Sequence, residues 1–145
     1  MILRNCIFDY KIIKPTVFPI PIICVGNLSM GGSGKTPHID YLINLLKKRN
    51  NLAILSRGYK RKKKGFIYIQ ESDSANICGD ESVLLKQKHP DVVVAVNKNR
   101  TSAIKKILID HPKTDVILLD DGFQHRQVQA GLYILLTEYK NPFFK

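Results

Sequence analysis

The sequence predicts an α/β fold, a mostly parallel sheet flanked by helices on both faces. Three observations predict it. Short apolar runs at 20–25, 52–55, 92–96, 116–119 and 132–136 have the length and composition of buried strands. Segments with apolar residues at helical spacing lie between several of them. The first run leads through a glycine-rich turn, Gly31-Gly32-Ser33-Gly34, into a helical pattern. Strands that alternate with helices form parallel sheets, and ligand-binding groups then gather at the carboxyl ends of the strands.

The elements follow in order. Pro15, Pro19 and Pro21 exclude a helix before the first strand at 20–25. A helix starting near Gly34 has the stripe Ile39, Leu42, Ile43, Leu45 and Leu46; Lys47, Lys48 and Arg49 suit its negative end, and Asn50-Asn51 stops it. Leu52-Ala53-Ile54-Leu55 is a second strand, ending at Ser56-Arg57-Gly58-Tyr59. After the basic run Lys60–Lys64, Phe66–Ile69 reads as a short edge strand. Residues 71–79 read as a polar loop, and 81–88 as a short helix after Asp80. The strand 92–96, a helix from Arg100 to Asp110 with Ile104, Ile107 and Leu108 inward, and the strands 116–119 and 132–136 complete the pattern. Residues 1–19 form a lead-in and 20–145 one domain; a chain of 145 residues suffices for a single core.

Chemistry enters at Gly31-Gly32-Ser33-Gly34-Lys35-Thr36. Glycines let backbone N–H groups turn toward phosphates, the lysine reaches the β and γ oxygens, and the threonine hydroxyl can ligate Mg²⁺. The phosphates then rest on the positive end of the following helix. The fold expected is therefore that of the P-loop NTPases, with ATP and Mg²⁺ as ligands. The match departs from the usual spacing at Ser29, where the pattern has glycine. Val116-Ile117-Leu118-Leu119 followed by Asp120-Asp121 supplies the second element, carboxylates at a strand tip. Two adjacent acids repel each other unless a cation offsets the charge, so Asp120 and Asp121 read as metal-holding residues.

The formal charge is +11, and Lys60-Arg61-Lys62-Lys63-Lys64 concentrates five positive charges. Such a run is a solvated loop or a contact for an anionic membrane or anionic lipid. Nucleic acid is not expected, because no aromatic residue is interleaved to stack on bases. Three cysteines far apart, without Cys-x-x-Cys, argue against a disulfide framework or zinc site. No apolar stretch reaches the length of a membrane span.

The blocks Gly26-Asn27-Leu28-Ser29-Met30-Gly31-Gly32-Ser33-Gly34-Lys35-Thr36-Pro37, Leu55-Ser56-Arg57-Gly58-Tyr59, Gly79-Asp80-Glu81 and Asp120-Asp121-Gly122-Phe123-Gln124-His125 together resemble the tetraacyldisaccharide 4'-kinases, most closely the Bacteroidetes forms. The resemblance runs in order from about Arg4 to Tyr139. It implies transfer of the ATP γ-phosphate to the 4'-hydroxyl of the lipid A disaccharide precursor. It also implies peripheral attachment to the anionic, cytoplasmic face of the bacterial inner membrane. Gly31, Gly32, Ser33, Gly34, Lys35 and Thr36 would hold the nucleotide, Lys35 also acting in catalysis. Thr36, Asp120 and Asp121 would hold the metal, and Asp80 would be the general base. Arg57, Gln124 and His125 would lie near substrate or phosphate. From the residues alone, Asp80 reads equally as the N-cap of the helix at 81–88. Arg100, a cation at a helix start, points to an anion partner there.

The resemblance also carries an expectation about length. The family is roughly twice as long, and its second half adds to the lipid site and supplies a histidine partner for the catalytic aspartate. The chain is expected to be an incomplete fragment that binds ATP weakly by itself and exposes apolar surface. Two other readings stay open on the residues. One is a partition- or metallochaperone-type ATPase switch, which shares the Gly-Gly-x-Gly-Lys-Thr core but has lysine where this chain has Met30. The other is a non-catalytic basic module using the 60–64 run on nucleic acid.

Overall fold

The computed structural model describes residues 14–27, 34–58, 61–123 and 127–137. Among them, six strands form one sheet in the order β3-β4-β2-β5-β1-β6. The strands are β1 (Ile22–Asn27), β2 (Leu52–Ser56), β3 (Ile67–Tyr68), β4 (Val93–Val96), β5 (Val116–Asp120) and β6 (Leu132–Leu136). The helices are α1 (Lys35–Leu46), α2 (Ala75–Cys78), α3 (Asp80–Lys88) and α4 (Arg100–Asp110). All neighbouring strands are parallel except β3, which runs antiparallel on β4 through Ile67↔Val96 and Tyr68↔Ala95. The chain leaves β1, passes through α1 and enters β2 two places away, and β5 fills the gap. The carboxyl ends of β1 and β5 therefore lie side by side, with Val25 opposite Asp120.

Alternation along the strands divides the core between the two faces. Val25, Ile54, Val94 and Leu118 pack on one face with Ile39 and Ile43 of α1 and Val83 and Leu85 of α3. Cys24, Ala53, Leu55, Ala95, Ile117 and Leu119 pack on the other with Ala103, Ile104 and Ile107 of α4. Ile39 and Ile43 are fully buried; one helical turn apart, they contribute about 1.5–3 kcal/mol each.

The structure revises several sequence expectations. β1 lies at 22–27 rather than 20–25, which brings Asn27 into the strand. Residues 75–78, read as loop, form the single turn α2. Leu45 is exposed rather than part of the buried stripe of α1. Phe66–Ile69 is an edge strand as expected, but only two residues make its ladder. At the opposite edge, β6 exposes Leu132, Tyr133 and Leu135, in keeping with the expected uncovered apolar surface.

α1 and α3 are tied together below the strand tips. His89, buried directly after α3, faces Asp40 with its Nε2 2.7 Å from Asp40 Oδ1, and Lys47 Nζ lies 3.2 Å from its Nδ1. An ammonium can only donate, so Nδ1 accepts and the Nε2–H donates to Asp40. The imidazole bond, aided by Lys88 Nζ at 3.4 Å, holds the Asp40 carboxyl below its ordinary range.

Candidate active site

Lys35 is the first residue of α1, directly after Gly34, which occupies the left-handed region at φ 73°. Glycine adopts that backbone without strain. Lys35 itself stands beside the strand tips. Its Nζ donates to Asn27 Oδ1 at 2.9 Å and lies 3.8 Å from Asp121 Oδ1. Three elements thus meet at one ammonium group: the end of β1, the start of α1 and the turn after β5. Thr36 follows Lys35 and is half-buried. Gly31, Gly32 and Ser33, expected to line the cradle, lie outside the described residues, as do Gln124 and His125.

The turn after β5 is tightly built. Asp121 adopts φ 52°, an uncommon conformation for a residue with a side chain. Gly122 donates its N–H to the Val25 carbonyl at 3.4 Å. A Cβ on Gly122 would stand 2.8 Å from Cys24 Sγ and 3.0 Å from Leu119 Cβ, too close for either. Gly122→Ala is therefore expected to cost about 1–3 kcal/mol by overpacking, read as a lower midpoint in chemical denaturation; an unchanged midpoint would show that the turn has room to move.

Asp120 ends β5 and is 2% exposed. Burial pushes its carboxyl up to about 6, with the charges of Glu81 and Asp121 adding to the rise and Ser56 and Lys35 opposing it. Its Oδ1 is buried without a hydrogen-bond partner. A buried, unpartnered carboxylate oxygen next in sequence to a second acid is donor chemistry that suits Mg²⁺. Among the described residues no group of three or more His, Cys, Asp or Glu could by itself hold a metal.

Asp80 opens α3 and is exposed. The sequence left it balanced between cap and base. The structure makes Gly79, at φ 97°, the N-cap and gives Asp80 no side-chain capping bond. Its carboxylate is therefore not committed to the helix end. Arg100 departs further from expectation. A cation at a helix start points to an anion arriving from outside, in the substrate role this residue was given, yet Arg100 is fully buried. Its guanidinium donates to the Asn97 carbonyl and, at 3.1 Å, to the Asp120 carbonyl. Burial pulls it down to about 10 against the charges of Asp120 and Asp121. Its partners belong to the protein: the carbonyls of Asn97 and Asp120, with the charges of Asp120 and Asp121 nearby. Arg57 is exposed at the end of β2, near enough for its charge to bear on Arg100.

Three residues join the site that motif reading did not single out. Asn27 meets Lys35, Ser56 meets Asp120, and the Glu81 charge bears on Asp120. Ser56 and Glu81 adjoin Arg57 and Asp80, and Asn27 lies within the Gly26–Pro37 block; that placement was the available signal.

Comparison with known proteins agrees with this geometry. The family model for LpxK, tetraacyldisaccharide-1-P 4'-kinase, matches residues 1–145. The tetraacyldisaccharide 4'-kinase of Flavobacterium johnsoniae is 56% identical over 137 residues, covering 94% of this chain and 40% of that protein. The protein of the same name from Phocaeicola vulgatus is 50% identical, covering 94% of this chain and 38% of its own length. The crystal structure of LpxK from Aquifex aeolicus in complex with ATP superposes with a TM-score of 0.86 at 42% identity, over 95% of this chain and 44% of that one. The chain thus spans about 40% of the length of the curated relatives it matches. With every residue inside the matched family model, the chain belongs to the tetraacyldisaccharide-1-P 4'-kinase family.

Proposed function

We propose that this chain is the nucleotide-binding portion of a kinase that moves the γ-phosphoryl group of ATP to the 4'-hydroxyl of a tetraacyldisaccharide 1-phosphate, the lipid A precursor. The observation that carries the reading is the meeting of Lys35 with Asn27 and Asp121 beside the unpartnered Oδ1 of Asp120. The family membership and the ATP complex of the Aquifex aeolicus relative support it.

Phosphoryl transfer asks a protein mainly to position the reactants and offset charge. Lys35, half-buried at the positive end of α1, binds the β and γ oxygens, and Gly31, Gly32, Ser33 and Gly34 line the phosphate cradle. Thr36, Asp120 and Asp121 would hold Mg²⁺, which would offset the negative charge of the phosphates. Asp80 takes the proton of the 4'-hydroxyl as its oxygen forms the new bond to phosphorus and ADP departs. Arg100 keeps the tip of β5 against the β4–α4 loop, so the two aspartates stay in place. Arg57, Gln124 and His125 serve the substrate side. The net charge of +11 favours a peripheral position on the anionic cytoplasmic face of the inner membrane. Among the described residues no helix is long and apolar enough to cross a membrane.

The roles of Asp80 and Lys35 separate experimentally. Asp80→Asn should leave MgATP affinity of the chain within about twofold. In the chain completed with the remaining portion of the Flavobacterium johnsoniae relative, it should slow phosphoryl transfer by about 10²–10⁴-fold, the range of general base catalysis. Titration calorimetry and a radiolabelled-ATP assay measure the two. Full turnover by the Asp80→Asn protein would remove Asp80 from the mechanism.

A further inference from the structure

The loop between β2 and β3 carries Lys62, Lys63 and Lys64, all exposed. Among the described residues no carboxylate forms an ion pair with any of them. Three adjacent like charges repel one another, and no carboxylate among the described residues is paired with them to offset that repulsion. Yet the loop is firmly built. Arg61 spends its guanidinium on the loop itself, donating to the Gly65 carbonyl across the base of the tip and to the Val96 carbonyl at the end of β4. Gly58, at φ 70°, admits the Arg61 stem where a Cβ would come within 2.5 Å. Lys63 donates its backbone N–H to the Ile77 carbonyl at 3.4 Å. The tip is therefore fastened to α2, three residues before Asp80.

We propose that Lys62, Lys63 and Lys64 form a binding site for a phosphomonoester carried by the acceptor glycolipid, at the end of the disaccharide remote from the hydroxyl that is phosphorylated. The inference rests on the kinase reading above and names how the acceptor is held. A lysine cluster that served only a charged bilayer could lie anywhere on the surface and on any flexible segment. This one has a fixed offset from Asp80, because the same short segment, Ile77 to Asp80, anchors the tip and starts α3. A fixed offset suits one molecule with two ends, a hydroxyl at the base and a phosphate at the lysines. Lysine ammonium groups bind phosphate as point charges, without the bidentate geometry of arginine. The one arginine of the described tip is used internally.

The test uses the 145-residue chain and neutral phosphatidylcholine vesicles of three kinds. One holds the disaccharide 1-phosphate, one the same lipid without its phosphate, and one phosphatidylglycerol at matched charge. The wild-type chain should bind the phosphate-bearing disaccharide about tenfold more tightly than the dephosphorylated one, in a salt-dependent manner. The variant Lys62→Gln/Lys63→Gln/Lys64→Gln should lose that preference while keeping its MgATP affinity. Equal wild-type binding to both disaccharides overturns the proposal, as does a preference that survives in the variant. Equal losses on the 1-phosphate and phosphatidylglycerol vesicles also overturn it and assign the tip to bilayer charge. A chain that fails to bind MgATP at all would defeat the nucleotide-site reading instead, and the vesicle comparison would still decide the lysine tip.

Discussion

Replacing Lys35 by alanine is expected to lower the MgATP affinity of the chain by about 100-fold or more. Lys35 Nζ sits where the end of β1 and the turn after β5 converge, 2.9 Å from Asn27 Oδ1 and 3.8 Å from Asp121 Oδ1. A charged donor contributes about 1.5–3 kcal/mol per hydrogen bond, and a lysine that bridges two phosphates makes at least two such bonds. The loss also leaves Asp121 without its cation, which adds repulsion between the paired acids and the incoming phosphates. The fold should survive, because Lys35 stands at the first position of α1, outside the core. Titration calorimetry with MgATP, alongside circular dichroism, gives both readings. Affinity retained within about threefold in a folded Lys35→Ala chain would place the phosphate cradle elsewhere.

Asp120→Asn should make the nucleotide-free chain more stable at pH 7.5 and at the same time abolish its stabilisation by MgATP. The folded-state value of about 6 lies above the ordinary 3.8. Folding therefore favours the protonated acid, and the ionised form costs stability at every pH above about 6. That cost, roughly 3 kcal/mol for a gap of this size, disappears as the pH falls from about 6 toward 4. Asparagine keeps the shape without the charge, so the variant should gain most at pH 7.5 and little at pH 4.5. Under the proposed role, metal and triphosphate act in the opposite sense, because they would need the ionised carboxylate. Thermal midpoints at the two pH values, with and without MgATP, separate the effects. Parallel midpoints for wild type and variant across that range would mean that Asp120 is already neutralised by the protein. A stabilising Asp120→Asn that loses MgATP stabilisation would be a case of function and stability diverging at a buried charge.

Much of this arrangement was legible in the residues. The strands and the two long helices announced themselves by apolar runs and by spacing, since each buries a face that the sequence must make apolar. Gly34-Lys35-Thr36 and Asp120-Asp121 were legible because their chemistry depends on local order. What escaped was set by contacts between distant segments. β3 pairs antiparallel with β4 rather than with the preceding β2, and nothing within Phe66–Ile69 encodes that. α2 forms because Cys78 is buried, although its polar flanks read as loop. Leu45 fitted the helical stripe, but α1 rolls so that Ile39 and Ile43 face the sheet instead. Arg100 looked like a surface cation at a helix start, and only closure of the β4–α4 loop over the tip of β5 encloses it. Asn27 and Glu81 become part of the site through Lys35 and Asp120, partners that the fold and not the motif supplies.

The His89–Asp40 bond has a mechanical meaning. α1 and α3 act as the two legs of a pair of calipers: Lys35 is the point of one leg, Asp80 the point of the other, and the imidazole is the rivet. With the rivet set by Lys47 and Lys88 on either side, the gap between the Lys35 and Asp80 ends of the two helices is gauged from a spot that touches neither.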